Sequence, residues 1–251
     1  MTGIAHVALT VRDLPGMARF YQTALGLEPM GGDGAQRDLG AGGQVLIRLS
    51  GDPAAIPRDP RDAGLFHTAF LLPDRAALGR WLRHAADTGV RLTGASDHDV
   101  SEALYLDDPE GNGIEIYRDR PASDWARDGD RVRMVTERLD LNDLAAAADG
   151  PWQGAPAGTQ IGHVHLQVGA MDAADDFMQG TLGLTRTHDA PGGGWYGWNG
   201  YHHHLAANVW NSRGAGPRPD GRTGLDHVAL TGFPEKSAAV ADPFGNRFEF
   251  V

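Results

Sequence analysis

The chain has 251 residues, no cysteine and a formal net charge of −11. This acidic balance argues against general binding to nucleic acids or to anionic membranes. Without cysteine there are neither disulfides nor thiolate ligands, so any bound metal must take imidazole and carboxylate groups. The sequence has no run of eighteen apolar residues and no start resembling a signal peptide, so a cytoplasmic location is the default expectation.

The first 50 residues predict a strand, a helix and a further strand. His6 opens a stretch in which polar and apolar residues alternate, as they do in a half-buried strand. Asp13 is placed to cap a helix that ends near Leu25 and carries an apolar stripe at helical spacing. Residues 44–49 predict a strand, and residues 51–64, with three prolines, predict a connection.

The same plan begins again at residue 65. His67 opens an alternating strand, a helix follows Asp74, and an Asp-Pro-x-Gly-Asn turn at residues 108–112 leads into a strand that contains Glu115. The periodicity then lapses over residues 119–159, which are predicted to be a linker with one short helix.

The second half of the chain repeats the first. The clearest strand, His163-Val164-His165-Leu166-Gln167, precedes a predicted helix over residues 172–182. A last strand opens at His227, and a second Asp-Pro-x-Gly-Asn turn leads to Glu249. The chain thus has four repeated modules, which open at His6, His67, His163 and His227. Histidine and glutamate are 48 residues apart in the second module and only 22 in the fourth, so the fourth lacks about one helix and one strand.

Recurrence on this scale predicts an α+β protein made of paired βαβββ modules. We expect two domains, residues 1–118 and residues 160–251, joined by the linker 119–159, with the fourth module shortened. Each domain should be a curved sheet that cups a cavity, with the histidines facing inward and the helices outside. The apolar side of the shortened module should be thinly covered, or covered by the linker or by a second copy of the chain in a homo-oligomer.

The histidines and glutamates suggest metal binding. Two neutral imidazoles and one carboxylate on one side of an ion leave open positions opposite, the arrangement typical of non-haem Fe(II) and also accepted by Mn(II). The sequence offers this set twice. The two predicted triads are His6, His67 and Glu115, and His163, His227 and Glu249.

The four-module layout resembles the vicinal oxygen chelate superfamily. Within it, His163-Val164-His165-Leu166, the segment Gly200-Tyr201-His202-His203-His204 and the two Asp-Pro-x-Gly-Asn turns resemble the catechol 2,3-dioxygenases, which are extradiol enzymes. The resemblance implies a non-haem Fe(II) enzyme that cleaves a small aromatic diol with O2. It also implies that the C-terminal triad, His163, His227 and Glu249, holds the iron.

The resemblance further implies His203 as a proton shuttle, and a tyrosine ten residues before the ligand glutamate. Tyr105 stands in that position before Glu115, but Ala239 stands there before Glu249. In the N-terminal half, Val45 aligns with the shuttle histidine. Each half therefore lacks one expected group. We expect the C-terminal half to be active, because a proton shuttle is harder to replace.

Other residues and other functions stay open at this stage. An aromatic pocket is predicted from Trp195, Tyr196, Trp198 and Tyr201, whereas His98 and His188 are expected in surface loops. One alternative function is a glyoxalase-like isomerase or metal-dependent transferase, which uses the same fold for Lewis-acid chemistry. The other is a catalytically eroded binding protein, which the shortened fourth module suggests.

Overall fold

The computed structural model describes residues 2–235 and 238–251 and has an α+β architecture built on two large sheets. The first module contains β1 (Gly3–Val11), α1 (Leu14–Ala24), β2 (Glu28–Gly32), β3 (Gln36–Ala41) and β4 (Gln44–Gly51). The second contains β5 (Gly64–Leu71), α2 (Arg75–Thr88), β6 (Gly94–Asp97), β7 (Ser101–Asp107) and β8 (Gly113–Asp119).

The linker and the second half complete the element order. The linker contains a short 3₁₀ turn (Ala122–Asp124), β9 (Arg127–Asp128), β10 (Arg131–Val132), β11 (Glu137–Arg138) and α3 (Leu141–Ala146). Module three contains β12 (Gln160–Gln167), α4 (Met171–Asp176), a π-helical turn (Phe177–Thr181), β13 (Thr185–Ala190), β14 (Gly193–Gly197) and β15 (Leu205–Asn208). Module four contains β16 (Gly224–Thr231), β17 (Val240–Ala241) and β18 (Arg247–Phe250).

The first two helices begin where the capping residues predict. The carboxylate of Asp13 accepts a hydrogen bond from the backbone N–H of Gly16, and that of Asp74 accepts one from Ala77. α2 ends at Gly89, whose φ of 73° is left-handed and favours glycine. None of the helices among the described residues has the length and apolar composition needed to cross a lipid bilayer.

The two sheets join the modules in an order that the sequence did not indicate. The seven-stranded sheet runs β17-β18-β16-β1-β4-β3-β2, so module one pairs with module four. The nine-stranded sheet runs β11-β6-β7-β8-β5-β12-β15-β14-β13, so module two pairs with module three. The expectation that residues 1–118 and residues 160–251 each enclose their own cavity is therefore wrong. All four opening strands share one alternation, so local pattern could not distinguish the two ways of pairing them.

The opening strands have one apolar and one polar side, as predicted. Val7, Val164 and Leu166 are fully buried in one continuous hydrophobic core. His67 and His163 lie on the other side of their strands and line a cavity. The nine-stranded sheet thus presents its histidines away from the core, which is the orientation that a site requires.

Module four lacks the helix of its sister modules, at least among the described residues between β16 and β17, which are 232–235 and 238–239. Its apolar side is nevertheless covered, because Val228 and Phe248 are fully buried. The ring of Phe177, in the π-helical turn of module three, lies 5.5 Å from that of Phe248. The cover therefore comes from module three rather than from the linker or a second copy of the chain, and formation of a homo-oligomer stays a prediction.

The linker packs on module two instead. α3 lies against α2 at Gly79, where a Cβ would be 2.6 Å from the carbonyl oxygen of Leu144. β11 extends the nine-stranded sheet by pairing with β6. Residues 119–159 therefore belong to the folded body, and the short helix predicted in them is confirmed.

We predict that Phe177→Ala destabilises the protein by about 3–5 kcal/mol, the usual cost of truncating a buried phenylalanine. The measurement is the free energy of unfolding in denaturant. Leu141→Ala is the control, because Leu141 is 38% exposed and its loss should cost no more than about 0.5 kcal/mol. Equal losses in the two variants would show that Phe177 does not support the shortened module.

Candidate metal centre

The polar side of the nine-stranded sheet encloses a cavity of about 620 Å³. Strands of modules two and three form its floor, and linker residues around Met134 close one side. The histidines that line it are His67, His98, His163, His165, His188 and His203. The aromatic side chains that line it are Phe66, Tyr105, Trp195 and Trp210. Volume and lining are those of a small-molecule site.

Sheet register brings three of these groups together. β12 lies antiparallel to β5, with His163 opposite Ala69, and β8 lies parallel to β5, with Glu115 opposite the same Ala69. His67 is two residues before Ala69 and therefore shares its face. Because Ala69 is small and fully buried, its side chain leaves open the space that His67, His163 and Glu115 surround.

The three donor atoms lie close together. The Nε2 atoms of His67 and His163 are 3.3 Å apart, and the Glu115 Oε2 is 3.0 Å from the first and 3.1 Å from the second. All three side chains are buried. Burial alone would raise the pKa of Glu115, but His163 and His67 outweigh it and hold that pKa well below its usual range. Burial lowers the pKa of His163, so its ring is neutral and able to bind a metal.

This donor set fits a divalent first-row ion. Ligands at right angles, each about 2.1 Å from an ion, lie about 3.0 Å from one another, close to the three separations found here. Two imidazoles and one carboxylate on one side leave the other positions facing the cavity. We infer that His67, His163 and Glu115 can hold such an ion, one ligand from each of β5, β12 and β8.

The groups that the sequence assigned to separate halves share this cavity. Tyr105 lies opposite Glu115 in the β7–β8 pair, and its hydroxyl is 2.8 Å from the Nε2 of His98. The ring of His203 packs 4.1 Å from that of His163. The apparent deficiency of each half disappears, because the tyrosine comes from module two and the histidine from module three.

The remaining predicted ligands lie in the seven-stranded sheet. The rings of His6 and His227 are 5.7 Å apart, and the Nε2 of His227 is 3.5 Å from the Oε2 of Glu249. Among the described residues, however, only His67, Glu115 and His163 bring three donor atoms within 4.8 Å of one another. The grouping of the six residues into two triads, each from one half of the chain, is therefore corrected.

The positive charge of Arg48 explains part of the difference between the two sheets. Arg48 of β4 stands opposite Ala8, whereas the matching position of β15 holds Ala206, opposite His165. Burial, followed by the charges of Arg48 and His227, lowers the pKa of His6 to about 4. A fixed guanidinium beside these groups disfavours a second cation there.

Two of the histidines that line the cavity, and the linker residues beside them, were not predicted as part of a site. His98 and His188 were expected at the surface, but both line the cavity, and each donates a hydrogen bond from Nδ1 to a linker carbonyl, that of Val135 for His98 and that of Val132 for His188. No periodic signal marked these linker residues. Conversely, of the four aromatic residues predicted for the pocket, only Trp195 lines it.

The other three predicted aromatic residues do not line the cavity, and each donates a hydrogen bond to a neighbouring group of the protein. Tyr196 donates a hydrogen bond to Asp175, and the indole N–H of Trp198 donates one to the carbonyl of Leu182. Tyr201 lies behind the cavity wall, where its hydroxyl donates to Asp119. The predicted aromatic stretch therefore divides between the cavity and the packing beneath it.

Comparison with known proteins agrees with this fold. The model of the Glyoxalase/Bleomycin resistance protein/Dioxygenase superfamily matches residues 3–116. Catechol-2,3-dioxygenase of Bacillus subtilis (strain 168) is 40% identical over 236 residues, which cover 91% of this chain and 82% of that protein. Biphenyl-2,3-diol 1,2-dioxygenase 3 of Rhodococcus globerulus is 31% identical over 123 residues, 48% of this chain and 65% of the relative.

Among solved structures, glyoxalase I from Zea mays aligns over 100% of this chain and 92% of its own, with a TM-score of 0.56 and 13% identity, which shows the fold alone. Fold and site thus define a paired-module α+β protein with a buried set of side chains that could hold a metal ion. The chain belongs to the vicinal oxygen chelate superfamily and, within it, to the family of extradiol ring-cleaving dioxygenases.

We predict that Glu115→Ala lowers the affinity for Fe(II) by at least about tenfold, because two imidazoles alone hold the ion weakly and leave its charge less compensated. Metal content after anaerobic loading and gel filtration is the measurement. Glu249→Ala is the matched control, since Glu249 occupies the equivalent strand of the other sheet and should not change metal content. Loss of iron in the control but not in Glu115→Ala would place the centre in the seven-stranded sheet.

Proposed function

We propose that this protein is an Fe(II) extradiol dioxygenase that cleaves the ring of a catechol with O2, with Mn(II) as an ion that the same ligands accept. The observation that carries the proposal is the presence of the three donors, an uncoordinated histidine and a tyrosine in one cavity. Of the dioxygenases named above, the catechol-2,3-dioxygenase at 40% identity covers most of this chain.

The ion would be held by His67, His163 and Glu115. When bound, it supplies Lewis acidity toward the two diol oxygens and electrons toward dioxygen. The protein's own contribution is to fix the three ligands on adjacent strands, to leave the cavity side of the ion open, and to exclude water with the aromatic walls.

His203 is the group that moves the proton. Burial, together with the nearby histidines, holds its pKa well below the usual range, so the ring is neutral and can accept a proton from a diol hydroxyl. Its packing against His163 keeps it beside the open side of the donor set. The proton that it takes from the diol can be returned to a product oxygen as the ring opens.

Tyr105 is the second polar group at the edge of the cavity. Burial, and then the charge of Glu115, raises the pKa of Tyr105 well above its usual value, so the hydroxyl stays protonated. Nδ1 of His98 lies at the carbonyl of Val135, which requires a donor, so the Nε2 of His98 accepts from Tyr105. The phenol is thereby held at the edge of the cavity, next to Glu115.

The lining also indicates the substrate class. Among the described residues that line the cavity there is no lysine or arginine, whereas Asp107 and Glu115 carry negative charge. Phe66, Trp195 and Trp210 provide apolar surface, and the rings of the two tryptophans lie 6.4 Å apart. We therefore propose an uncharged catechol with an apolar substituent in preference to a carboxylated one.

The alternatives have less support. A glyoxalase-like isomerase would use the same three ligands, but the similarity to glyoxalase I extends only to fold. Loss of activity by erosion was suggested by the shortened fourth module, yet that module lies in the seven-stranded sheet and none of its described residues lines the cavity.

We predict that His203→Phe keeps its iron but lowers kcat by about 100-fold or more, the scale for losing a positioned acid–base group. Tyr105→Phe should lower kcat by about tenfold, the cost of one hydrogen bond. Both are measured as O2 consumption and absorbance of the ring-opened product under saturating catechol. His227→Phe is the control in the other sheet and should turn over normally. An iron-loaded wild-type protein that consumes no O2 with any catechol would refute the proposed function.

We predict that kcat/KM is higher for alkyl- or aryl-substituted catechols than for catechols that bear a carboxylate. Trp195→Ala should reduce the advantage of the aryl substrate by about tenfold, because it removes apolar surface from the wall. The control is Leu141→Ala, which changes an exposed residue of α3. Trp81 is not a suitable tryptophan control, because it lies in the hydrophobic core. An unchanged preference in Trp195→Ala would show that the substituent binds elsewhere.

A further inference from the structure

A chain of hydrogen bonds runs behind His203, away from the cavity. Nδ1 of His203 is 2.7 Å from Nδ1 of His202, and Nε2 of His202 is 2.9 Å from Oδ1 of Asp119. His202 is completely buried. Asp119 is the last residue of β8, the strand that also carries Glu115. The three side chains therefore connect the proposed proton carrier to a carboxylate of the ligand-bearing strand.

When both imidazole rings are neutral, the hydrogen bonds between Asp119, His202 and His203 allow only one placement of the ring hydrogens. A carboxylate accepts only, so Nε2 of His202 carries the hydrogen, and Nδ1 of the same neutral ring is bare. The short contact between the two Nδ1 atoms then requires that His203 donates through Nδ1. A neutral His203 with its hydrogen on Nδ1 has a bare Nε2. No hydrogen bond to this Nε2 is found within the described part of the chain, and the ring lines the cavity.

The carboxylate at the far end is itself held in place. The hydroxyl of Tyr201 donates to Oδ2 of Asp119 at 2.8 Å, so the hydroxyl of Tyr117, 2.9 Å from it, must donate to Tyr201. Tyr117 reaches this position only because residue 162 is glycine, where a Cβ would lie 1.8 Å from the phenol oxygen. These contacts fix the orientation of Asp119.

We propose that Asp119 and His202 are positioning residues that hold His203 as the tautomer protonated on Nδ1, with its bare Nε2 directed into the cavity. This is the form that can accept a proton from a diol. The inference rests on the proposed function for its consequence in turnover, but the tautomer itself is a property of the folded protein and can be measured separately.

Asp119→Asn tests the proposal most directly. The asparagine has the same shape, and with its amide oxygen accepting from Tyr201 its NH2 group donates to Nε2 of His202. The hydrogen of His202 then moves to Nδ1, and His203 carries its own on Nε2. We expect kcat to fall about 100-fold or more, with iron content unchanged and KM within a few-fold of wild type. Asp119→Glu, which restores a carboxylate, should recover part of the loss.

Asp226→Asn is the matched control. Asp226 accepts a hydrogen bond from Nδ1 of His227 at 3.1 Å in the seven-stranded sheet, so the same change is made beside a histidine outside the cavity. Its kcat should equal that of wild type. If Asp119→Asn turns over as fast as this control, the proposal is wrong.

The tautomer is read by imidazole nitrogen–proton correlation NMR on the full chain loaded with zinc, a diamagnetic stand-in for iron. The His203 signals are those that disappear in His203→Phe. We expect a bare Nε2 in the wild type and a protonated Nε2 in Asp119→Asn. A protonated Nε2 in the wild type would overturn the proposal even if Asp119→Asn did not fold. If the tautomer is as expected but His203→Phe turns over normally, the positioning stands and the proposed role of His203 fails.

Discussion

The antiparallel pairing of β5 with β12 is the contact on which the candidate site depends. It places His163 of module three opposite Ala69 of module two, while the parallel pairing of β8 with β5 brings Glu115 to the same residue from the other side. A larger side chain than Ala69 would fill the space that the donors surround. The candidate metal centre is thus a consequence of strand register, and no single module contains all three of its donors.

The seven-stranded sheet shows what the same register gives without the same side chains. β1 and β16 pair as β5 and β12 do, and Glu249 lies opposite Ala229 just as Glu115 lies opposite Ala69. There, however, Arg48 stands among the candidate ligands and forms an ion pair with Asp38 at 2.9 Å. Backbone geometry therefore permits a site in each sheet. Arg48 in the seven-stranded sheet, where the nine-stranded sheet has Ala206, favours metal binding in the nine-stranded sheet.

Much of the site was predictable from the sequence. His67, Glu115, His163, Tyr105 and His203 all carried signals in strand alternation, in the repeated turn or in the resemblance. What local pattern could not supply was the pairing of modules, since each opening strand has the same alternation and pairing is decided by how whole modules fit. The linker contribution was also hidden, because residues 134–136 line the cavity without any periodic pattern, and the contact of His98 with the carbonyl of Val135 has no sequence signal.

This dependence on pairing constrains how the site forms. The ligands His67 and Glu115 belong to the first half of the chain, and His163 and His203 belong to the second, so neither half alone contains a complete set. The buried strands β5 and β12 have to meet before the three donor atoms come within reach of one another. Contacts of this sequence separation are costly in loop-closure entropy until they form, and the linker packed on α2 shortens the effective loop between them. Formation of the site and closure of the nine-stranded sheet are therefore the same structural event.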